Sequence, residues 1–442
     1  MIPFVIFIYE VENNITPMDL NKHRKTVFID ARLVCDRGKL DAQRVANYFS
    51  KNGYDFVQHP KNAQVIIFNV CGFSTGMVQA GLLEIEKYKK YNADLIIIGG
   101  LPGTDKEVCE KVSSGKFLSH ENLGNIDSFF PEHSIHFADI DDANHPWLTL
   151  DTASVKKQIK TLCYRSSFLK KIVIAPIDYY VRQKIGEDYL ILGNPFDFPS
   201  ENIYRLRISW GCNFRCSYCA IRKATGDFRS KPFGQCVKEF EPGLQNGFQT
   251  FHIMSVDPGG YGKDIGSTYP FLLQTLCEYK GEYRFRLEAV NPFWLVTYQQ
   301  ELEEIVKRGK ICAISVPIQS GSPRILQLMN RFSDIDKILT CLQRLKTISP
   351  SLTLATNGII GFPTETKEDF HSTLNFIKES GIDMGYLYPI SLKPGTKAES
   401  IHPHFPPKEI YERIKFSRKF LSQNGYTSFL TSGHSIIFGR HR

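Results

Sequence analysis

The sequence predicts an α/β protein: a small doubly wound N-terminal domain followed by a partial (β/α)6 barrel. Two rhythms and one interruption carry the prediction. Between Lys25 and Gly103, apolar strand-like runs alternate with helix-like stretches, the order of a parallel sheet covered on both faces. From Tyr204 the alternation resumes and yields six strand–helix units. A closed eight-unit barrel typically takes about 250 residues, so six units imply an incomplete one. Between the two rhythms, roughly residues 140–200 are less regular.

In the first rhythm, Thr26–Asp30 reads as a strand and Asp41–Asn52 as the helix after it, with Gly53 where a C-cap glycine sits. Gln64–Asn69 is a continuous apolar run, suited to a buried parallel strand. Val78–Tyr91 is a second helix, and Asp94–Ile98 a further strand ending in Gly99-Gly100. In the second rhythm the strands are Tyr204–Trp210, Thr250–Ser255, Tyr283–Ala289, Cys312–Ile318, Leu352–Ile360 and Gly385–Ser391. Helices Tyr298–Arg308, Pro323–Asn330 and Lys367–Glu379 lie between them, and Pro407–Asn424 is a C-terminal helix. The expected organisation is an N-terminal extension (1–25), an α/β domain (26–140), a linker (141–200) and the barrel with its C-terminal helix (201–442). The linker is basic through Lys156, Lys157, Lys160, Arg165, Lys170 and Lys171, which reads as a solvated face.

The chain has 442 residues and a formal net charge of +8, a mild bias that admits a polyanionic partner without requiring one. No apolar run reaches the ~18 residues of a membrane span. The apolar start Met1–Tyr9 has no basic residue before it and no small-residue cleavage site, unlike a signal peptide. A cytoplasmic protein with no membrane partner is expected. Its 11 cysteines, an odd number scattered along the chain, make a poor disulfide framework. In a reducing cytosol, clustered thiols more often bind metal or do chemistry.

Three of these cysteines form Cys212-Asn-Phe-Arg-Cys216-Ser-Tyr-Cys219, just after the first barrel strand. Catalytic groups of parallel barrels gather at the C-terminal ends of the strands. At this cysteine frequency the spacing arises by chance on the order of 0.007 times per chain, so accident is a poor account. A loop this tight can bring three thiolates around one cluster. Iron–sulfur clusters are usually held by four cysteines, so three leave one iron open to a further ligand. Two other readings stay open on the residues alone: three small core side chains, or zinc with Cys236 as a fourth ligand.

The stretch Gly211-Cys-Asn-Phe-Arg-Cys-Ser-Tyr-Cys219 resembles the signature of the radical S-adenosylmethionine (SAM) superfamily. The resemblance implies a 4Fe–4S cluster on Cys212, Cys216 and Cys219, with SAM chelating the open iron. It further implies that one electron splits SAM to a 5′-deoxyadenosyl radical, which takes a hydrogen atom from an unactivated C–H bond. The cofactors carry the hard chemistry and the protein supplies orientation and shielding. Thr225–Pro232, Ser255–Asp264, Val316–Arg331, Ile359–Phe370 and Lys393–Thr396, in this order, resemble the radical SAM methylthiotransferases. Those enzymes insert sulfur, then a methyl group, on a tRNA adenosine or a ribosomal-protein aspartate. The segment from Asp257 to Asp264 is closer to the aspartate-modifying branch. In that family the N-terminal domain carries three cysteines for a second, auxiliary cluster. Cys35 and Cys71 stand at the first two places and Gly100 at the third, with Cys109 nearby on a helical stretch. The family's C-terminal RNA-binding β-barrel has no room in the about 45 residues after Thr396, which argues against tRNA.

Further candidates surround the cysteines. Asp257, Gly259 and Gly260 lie in a loop whose backbone N–H groups could meet the SAM carboxylate or amino group, or simply make a tight turn. Ile265 stands where a dinucleotide fingerprint would need its third glycine. Glu288 and Asn291 end the third barrel strand and Gln319 the fourth, suited to hydrogen bonds with SAM or to capping. Gly361, with Phe362 and Pro363, ends the fifth and could let backbone approach adenine, while Tyr218 stacks near adenine or packs. Arg222, Arg229 and Lys231 flank the cysteine loop as substrate contacts or solvated cations. Cys163, Cys236, Cys277, Cys312 and Cys341 read as small buried residues, and His252 as a satisfied core residue.

The expected function is that of a methylthiotransferase-like radical SAM transferase. It abstracts a hydrogen atom and forms a C–S bond on a peptide, protein or small-molecule substrate rather than tRNA. An electron donor such as flavodoxin or ferredoxin would serve it. Cys35 and Cys71 would hold the sulfur source on a second iron–sulfur cluster. Three alternatives stand beside this: radical SAM chemistry without sulfur insertion, favoured by Gly100; a relative of the tRNA methylthiotransferases, with RNA as partner; and a non-catalytic iron–sulfur protein, against which the intact triplet argues.

Overall fold

The structure, a computed structural model, describes residues 25–145, 203–430 and 435–440. The N-terminal extension, Cys163 and most of the basic linker lie outside the described residues.

Five parallel strands form the first sheet, in the order β2-β1-β3-β4-β5. They are β1 (Thr26–Leu33), β2 (Asp55–Phe56), β3 (Val65–Val70), β4 (Asp94–Gly99) and β5 (Lys116–Ser119). Every residue of β3 is buried, as an apolar strand between two helical layers should be. Helix α1 (Asp36–Lys51) covers one face with Val45, Ala46 and Phe49. Helix α2 (Thr75–Tyr88) covers the other with Val78, Ile85 and Tyr88 against Ile66 and Phe68. Short helices α3 (Gly100–Thr104) and α4 (Lys106–Val112) follow β4. The sheet is doubly wound, as expected. Helix α1 starts five residues before the stretch read as helical, because extended Cys35 caps it and Asp36 takes the first turn, where a carboxylate suits the helix dipole.

The second sheet has eight strands, in the order β14-β15-β13-β12-β11-β10-β9-β6. Its six parallel members are β6 (Ile203–Arg207), β9 (Thr250–Met254), β10 (Arg284–Leu287), β11 (Ile311–Ser315), β12 (Thr353–Ile360) and β13 (Met384–Pro389). They are the six units of the partial barrel. Between β6 and β9, β7 (Ser209–Trp210) and β8 (Arg229–Ser230) pair as a small antiparallel bracket. The outer helices are α5 (Ile221–Thr225), α6 (Phe233–Gln245), α7 (Tyr269–Glu278), α8 (Pro292–Thr297), α9 (Gln299–Lys307), α10 (Pro323–Leu328), α11 (Ile335–Ile348), α12 (Lys367–Glu379) and α13 (Pro407–Gln423). All but α5 and α10 pack on Leu206, Phe251, Phe285, Ile314, Leu354 and Leu387 in one continuous core, while α10 packs with Ile359 and Phe362 in a smaller cluster. Helix α12 falls where the sequence puts it because Thr366 and Asp369 close a capping box. The chain does not end as a helix alone: β14 (Tyr426–Leu430) and β15 (Ile436–Arg440) add antiparallel strands to β13 and cover its edge. No helix among the described residues is long and apolar enough to cross a membrane.

Side chains alternate across a strand, so Arg205 and Arg207 of β6 face away from that core. Helix α1 meets them there. Arg205 Nη2 lies 2.9 Å from Asp36 Oδ2, and Arg207 Nη1 lies 2.6 Å from Asp41 Oδ1. Burial pushes both carboxyls up, but the guanidiniums prevail, holding Asp36 at about 2 and Asp41 also well below the usual carboxylate range. Arg37 adds a third link, donating to Glu288 Oε1 at 2.8 Å and to the Ser255 carbonyl at 3.1 Å. The first turns of α1 thus seat the first sheet on the barrel.

Candidate thiol sites at the barrel mouth

The loop after β7 carries the cysteine triplet, and other elements hold it in place. Asp257, just after β9, accepts from the Asn213 backbone N–H at 3.1 Å and its side-chain amide at 3.0 Å through one oxygen. Its other oxygen accepts from Trp294 Nε1 on α8 at 2.7 Å. Ser217 N–H donates to the Met329 carbonyl, and the Ser217 carbonyl accepts from Ala398 N–H, both at 2.9 Å. Arg331 reaches Cys216 Sγ at 3.5 Å and donates to the Pro317 carbonyl at 2.6 Å.

So fixed, Cys212, Cys216 and Cys219 are all half-buried and line one cavity of about 570 Å³, shared with Arg222, Lys223, Thr396 and Lys397. Burial pushes the Cys212 thiol up to about 12, with the Asp257 carboxylate adding to it, and the Cys219 thiol up to about 11. Metal ligation must displace those protons. Three thiols on one cavity, beside a guanidinium that offsets thiolate charge, fit a cluster that takes three protein ligands and leaves one iron open. Cys236 does not serve as the fourth ligand that zinc would need: it is fully buried in the barrel core, with its sulfur on the Lys231 carbonyl, and does not line the cavity.

The other expected contacts divide. Asp257 uses both side-chain oxygens to clamp the cysteine loop. In the same loop the Gly260 N–H turns to the Asp257 carbonyl at 3.3 Å, and both glycines are closely packed. A Cβ on Gly259 would stand 2.3 Å from the Trp294 ring, and one on Gly260 would stand 2.3 Å from the Asn213 amide. These glycines are small so that the clamp can close. Glu288 is taken by Arg37 through one oxygen, although its buried Oε2 has no hydrogen-bond partner. Asn291 caps α8, accepting from Phe293 N–H at 3.1 Å. Gln319 sits at φ 67° with its backbone bridging to β12 and its side chain half-buried. The Gly361 turn is pinned by its N–H on Glu365 Oε2 at 2.9 Å, and Arg413 of α13 holds that carboxylate from behind. Burial pushes Glu365 up to about 7. The Tyr218 ring packs against the cluster of Ile325, Ile359 and Phe362, beside Cys216.

Among the cations, Arg222 pairs with Asp227 at the cavity and Arg229 lies over the Trp210 ring at 4.8 Å. Lys231 is no solvated cation: it is fully buried between Asp142 and Glu239, at 3.0 and 2.6 Å. Cys277 and Cys341 are buried as expected and Cys312 is half-buried. His252 is buried and kept neutral, lowered to about 3 by burial and then by Arg205, but its Nε2 lacks a hydrogen-bond partner, so it is not the satisfied core residue expected.

A second group of thiols lies at the C-terminal edge of the first sheet. Cys35 is exposed at the N-cap of α1, and half-buried Cys71 follows β3, donating its N–H to the Leu33 carbonyl at 2.8 Å. Burial pushes the Cys71 thiol up to about 12; nearby Cys35 adds to this, and Arg37 and Lys393 oppose it. Gly100 opens α3 behind them. A Cβ there would lie 2.9 Å from the Gly72 nitrogen and 3.5 Å from Cys71 Cα, against backbone rather than a yielding side chain. Cys109 is no substitute, being fully buried in the apolar cluster under α2. A three-thiolate set does not fit these residues; two thiols do.

Known proteins match this arrangement in the same order. The radical SAM superfamily matches residues 206–377. An uncharacterized protein family, UPF0004, matches residues 28–117. Ribosomal protein uS12 methylthiotransferase RimO of Salmonella typhi is 27% identical over 402 residues, covering 87% of this chain and 78% of that protein. RimO of Escherichia coli O1:K1 gives the same figures: 27% over 402 residues, 87% and 78%. Among solved structures, the radical SAM methyltransferase TsrM from Kitasatospora setae, with cobalamin and a 4Fe–4S cluster bound, superposes with a TM-score of 0.59 at 11% identity, over 93% of this chain and 81% of that one. That likeness is one of fold. With a radical SAM match over the barrel, a UPF0004 match over the first sheet and RimO relatives spanning both, the chain is similar along most of its length to methylthiotransferase-like radical SAM proteins, a superfamily that uses a 4Fe–4S cluster and SAM.

Proposed function

We propose that the protein forms a C–S bond on a peptide or protein substrate, as a methylthiotransferase-like radical SAM transferase in the cytoplasm. The observation that carries this is the set of three thiols facing one cavity on a loop clamped by Asp257 and Arg331. Cys212, Cys216 and Cys219 would hold the 4Fe–4S cluster. When bound, the cluster and SAM supply the radical that removes a hydrogen atom from the substrate. The chain's own residues do the rest. Asp257 and Trp294 would keep the loop rigid, Arg331 would offset the negative charge of Cys216, and Tyr218, Gln319 and Gly361 are the residues assigned here to contact SAM. Cations at the cavity rim suit an electron donor of the flavodoxin or ferredoxin type. The RimO relatives, named for a ribosomal protein, support a protein substrate. The division into residues 26–140 and 201–442 belongs to this reading.

The test is product mass after turnover with SAM and a reductant. A gain of sulfur and a methyl group supports the reading. Loss of hydrogen alone would favour the second one, radical SAM chemistry without sulfur insertion, for which Gly100 speaks.

A further inference from the structure

The pair at the edge of the first sheet is short of one thiol and closed to a third, yet it points at the barrel. Leu33 and Val70 are paired on adjacent parallel strands, so the segments that follow, with Cys35 and Cys71, leave the sheet side by side. Two residues after Cys35, Arg37 spans to Glu288 and the Ser255 carbonyl at the ends of barrel strands. Two residues after Cys71, Phe73 stands edge-on to Tyr388 of β13 at 6.2 Å. Lys393, beyond β13, reaches back to Asp105 at 3.3 Å. The thiols therefore sit where the two sheets meet, beside two cations, and they differ in access: Cys35 is exposed, while Cys71 is half-buried with its sulfur accepting from Phe73 N–H at 3.4 Å.

We propose that Cys35 and Cys71 are a two-thiol sulfur relay, in which Cys35 carries a sulfane sulfur as a persulfide and Cys71 releases it, without a second iron–sulfur cluster. The proposal rests on the C–S bond reading, for which it names the sulfur source. Loading is an exchange. The exposed Cys35 thiolate attacks the outer sulfur of a low-molecular-weight persulfide; the new S–S bond forms on Cys35, and the donor's S–S bond breaks to leave its thiolate. In release, the Cys71 thiolate attacks the Cys35 sulfur, the Cys35–Cys71 bond forms, and the outer sulfur departs as hydrosulfide with the bond's electron pair. The sulfane sulfur is reduced by two electrons as the two thiols are oxidised by two, so no further oxidant is needed. A low-molecular-weight thiol resets the pair by two exchanges, ending as its own disulfide. Arg37 and Lys393 supply positive charge beside the anionic persulfide.

The full chain, anaerobically reconstituted, is treated with glutathione persulfide, alkylated and analysed by peptide mass. Cys71→Ser should trap one added sulfur, about 32 Da, on Cys35. The unsubstituted protein should instead show the Cys35–Cys71 disulfide and one equivalent of sulfide. Iron should be about four per chain in both the unsubstituted protein and the Cys35→Ser/Cys71→Ser variant. No added sulfur on Cys35 in Cys71→Ser would overturn the relay. So would about eight irons in the unsubstituted protein falling to about four in the double variant, the signature of a second cluster. Product mass after turnover, measured alongside, reports on C–S bond formation and 5′-deoxyadenosine on the barrel site alone, so failure of the relay and failure of the C–S bond reading are distinguishable.

Discussion

Two groups of cysteines, one beside each large sheet, use a similar device: thiols in a loop beyond the C-terminal end of a parallel strand, directly after β3 for Cys71 and beyond the short β7 for the triplet. They differ in what surrounds them. The barrel triplet sits on a loop tied down by Asp257, Trp294, Met329, Ala398 and Arg331. The N-terminal pair has Arg37 and Lys393 near it but has lost its third position to a glycine packed on backbone. Cysteine spacing can be read from either site, yet only the first is a complete ligand set. What separates them is the set of residues that close space around each thiol.

The largest effect should come from removing the complete set. With Cys212, Cys216 and Cys219 all replaced by Ala, 5′-deoxyadenosine formation should vanish; residual cleavage of SAM would end the assignment of the barrel site. Next is the seam between the two regions. Arg207→Met leaves Asp41 buried without its guanidinium and should cost about 3–5 kcal/mol in denaturant unfolding. Adding Asp41→Leu should recover most of that, and no recovery would mean that the pair matters for something other than charge. The same seam sets an acid response. The folded pKa values of Asp36 and Asp41 lie below the ordinary 3.8, so the unfolded chain binds more protons in that range. Their stabilisation is present above about pH 4 and is lost as the pH falls towards 2. Unfolding midpoints measured from pH 6 to 2.5 should therefore drop, and Asp36→Asn should flatten the curve.

Smaller effects probe each site from within. Asp257→Ala unlocks the cysteine loop at a cost of about 1–3 kcal/mol and should lower iron retained after gel filtration. Full retention would show that the clamp is dispensable. Gly100→Ala should cost about 1–3 kcal/mol, because its methyl group meets backbone. A neutral result, by thermal unfolding, would mean that the third position is open after all and would blur the contrast between the two sites.

Much of this was legible in the sequence because the apolar periods are strong. β3, β4, β12 and α12 fall within a residue or so of where their patterns place them. The triplet was legible because its spacing is short and local. What was hidden is non-local or weakly patterned. The hairpin β14–β15 consists of two strands of five residues each, whose pattern makes sense only against the edge of β13. The role of Arg331 was invisible because it lies 115 residues from the sulfur it contacts. The partners of the Asp257 and Glu288 side chains were invisible for the same reason, since Asn213, Trp294 and Arg37 reach them from distant elements. One signal could have been used: Arg205 and Arg207 alternate inside an otherwise apolar strand, and buried guanidiniums require acids. Asp36 and Asp41, at the start of the first helix, are those acids.

The seam between α1 and β6 also sets an order of events as the chain is made. Asp36 finds Arg205 across 169 residues, and Asp41 finds Arg207 across 166. At ~5–20 residues per second, roughly 10–30 s separate synthesis of the acids from that of their partners. Through that interval the first sheet has its own core to fold on, but its two seam carboxylates stand without their guanidiniums. Docking of the barrel therefore comes last, and it is the step at which those acids leave water.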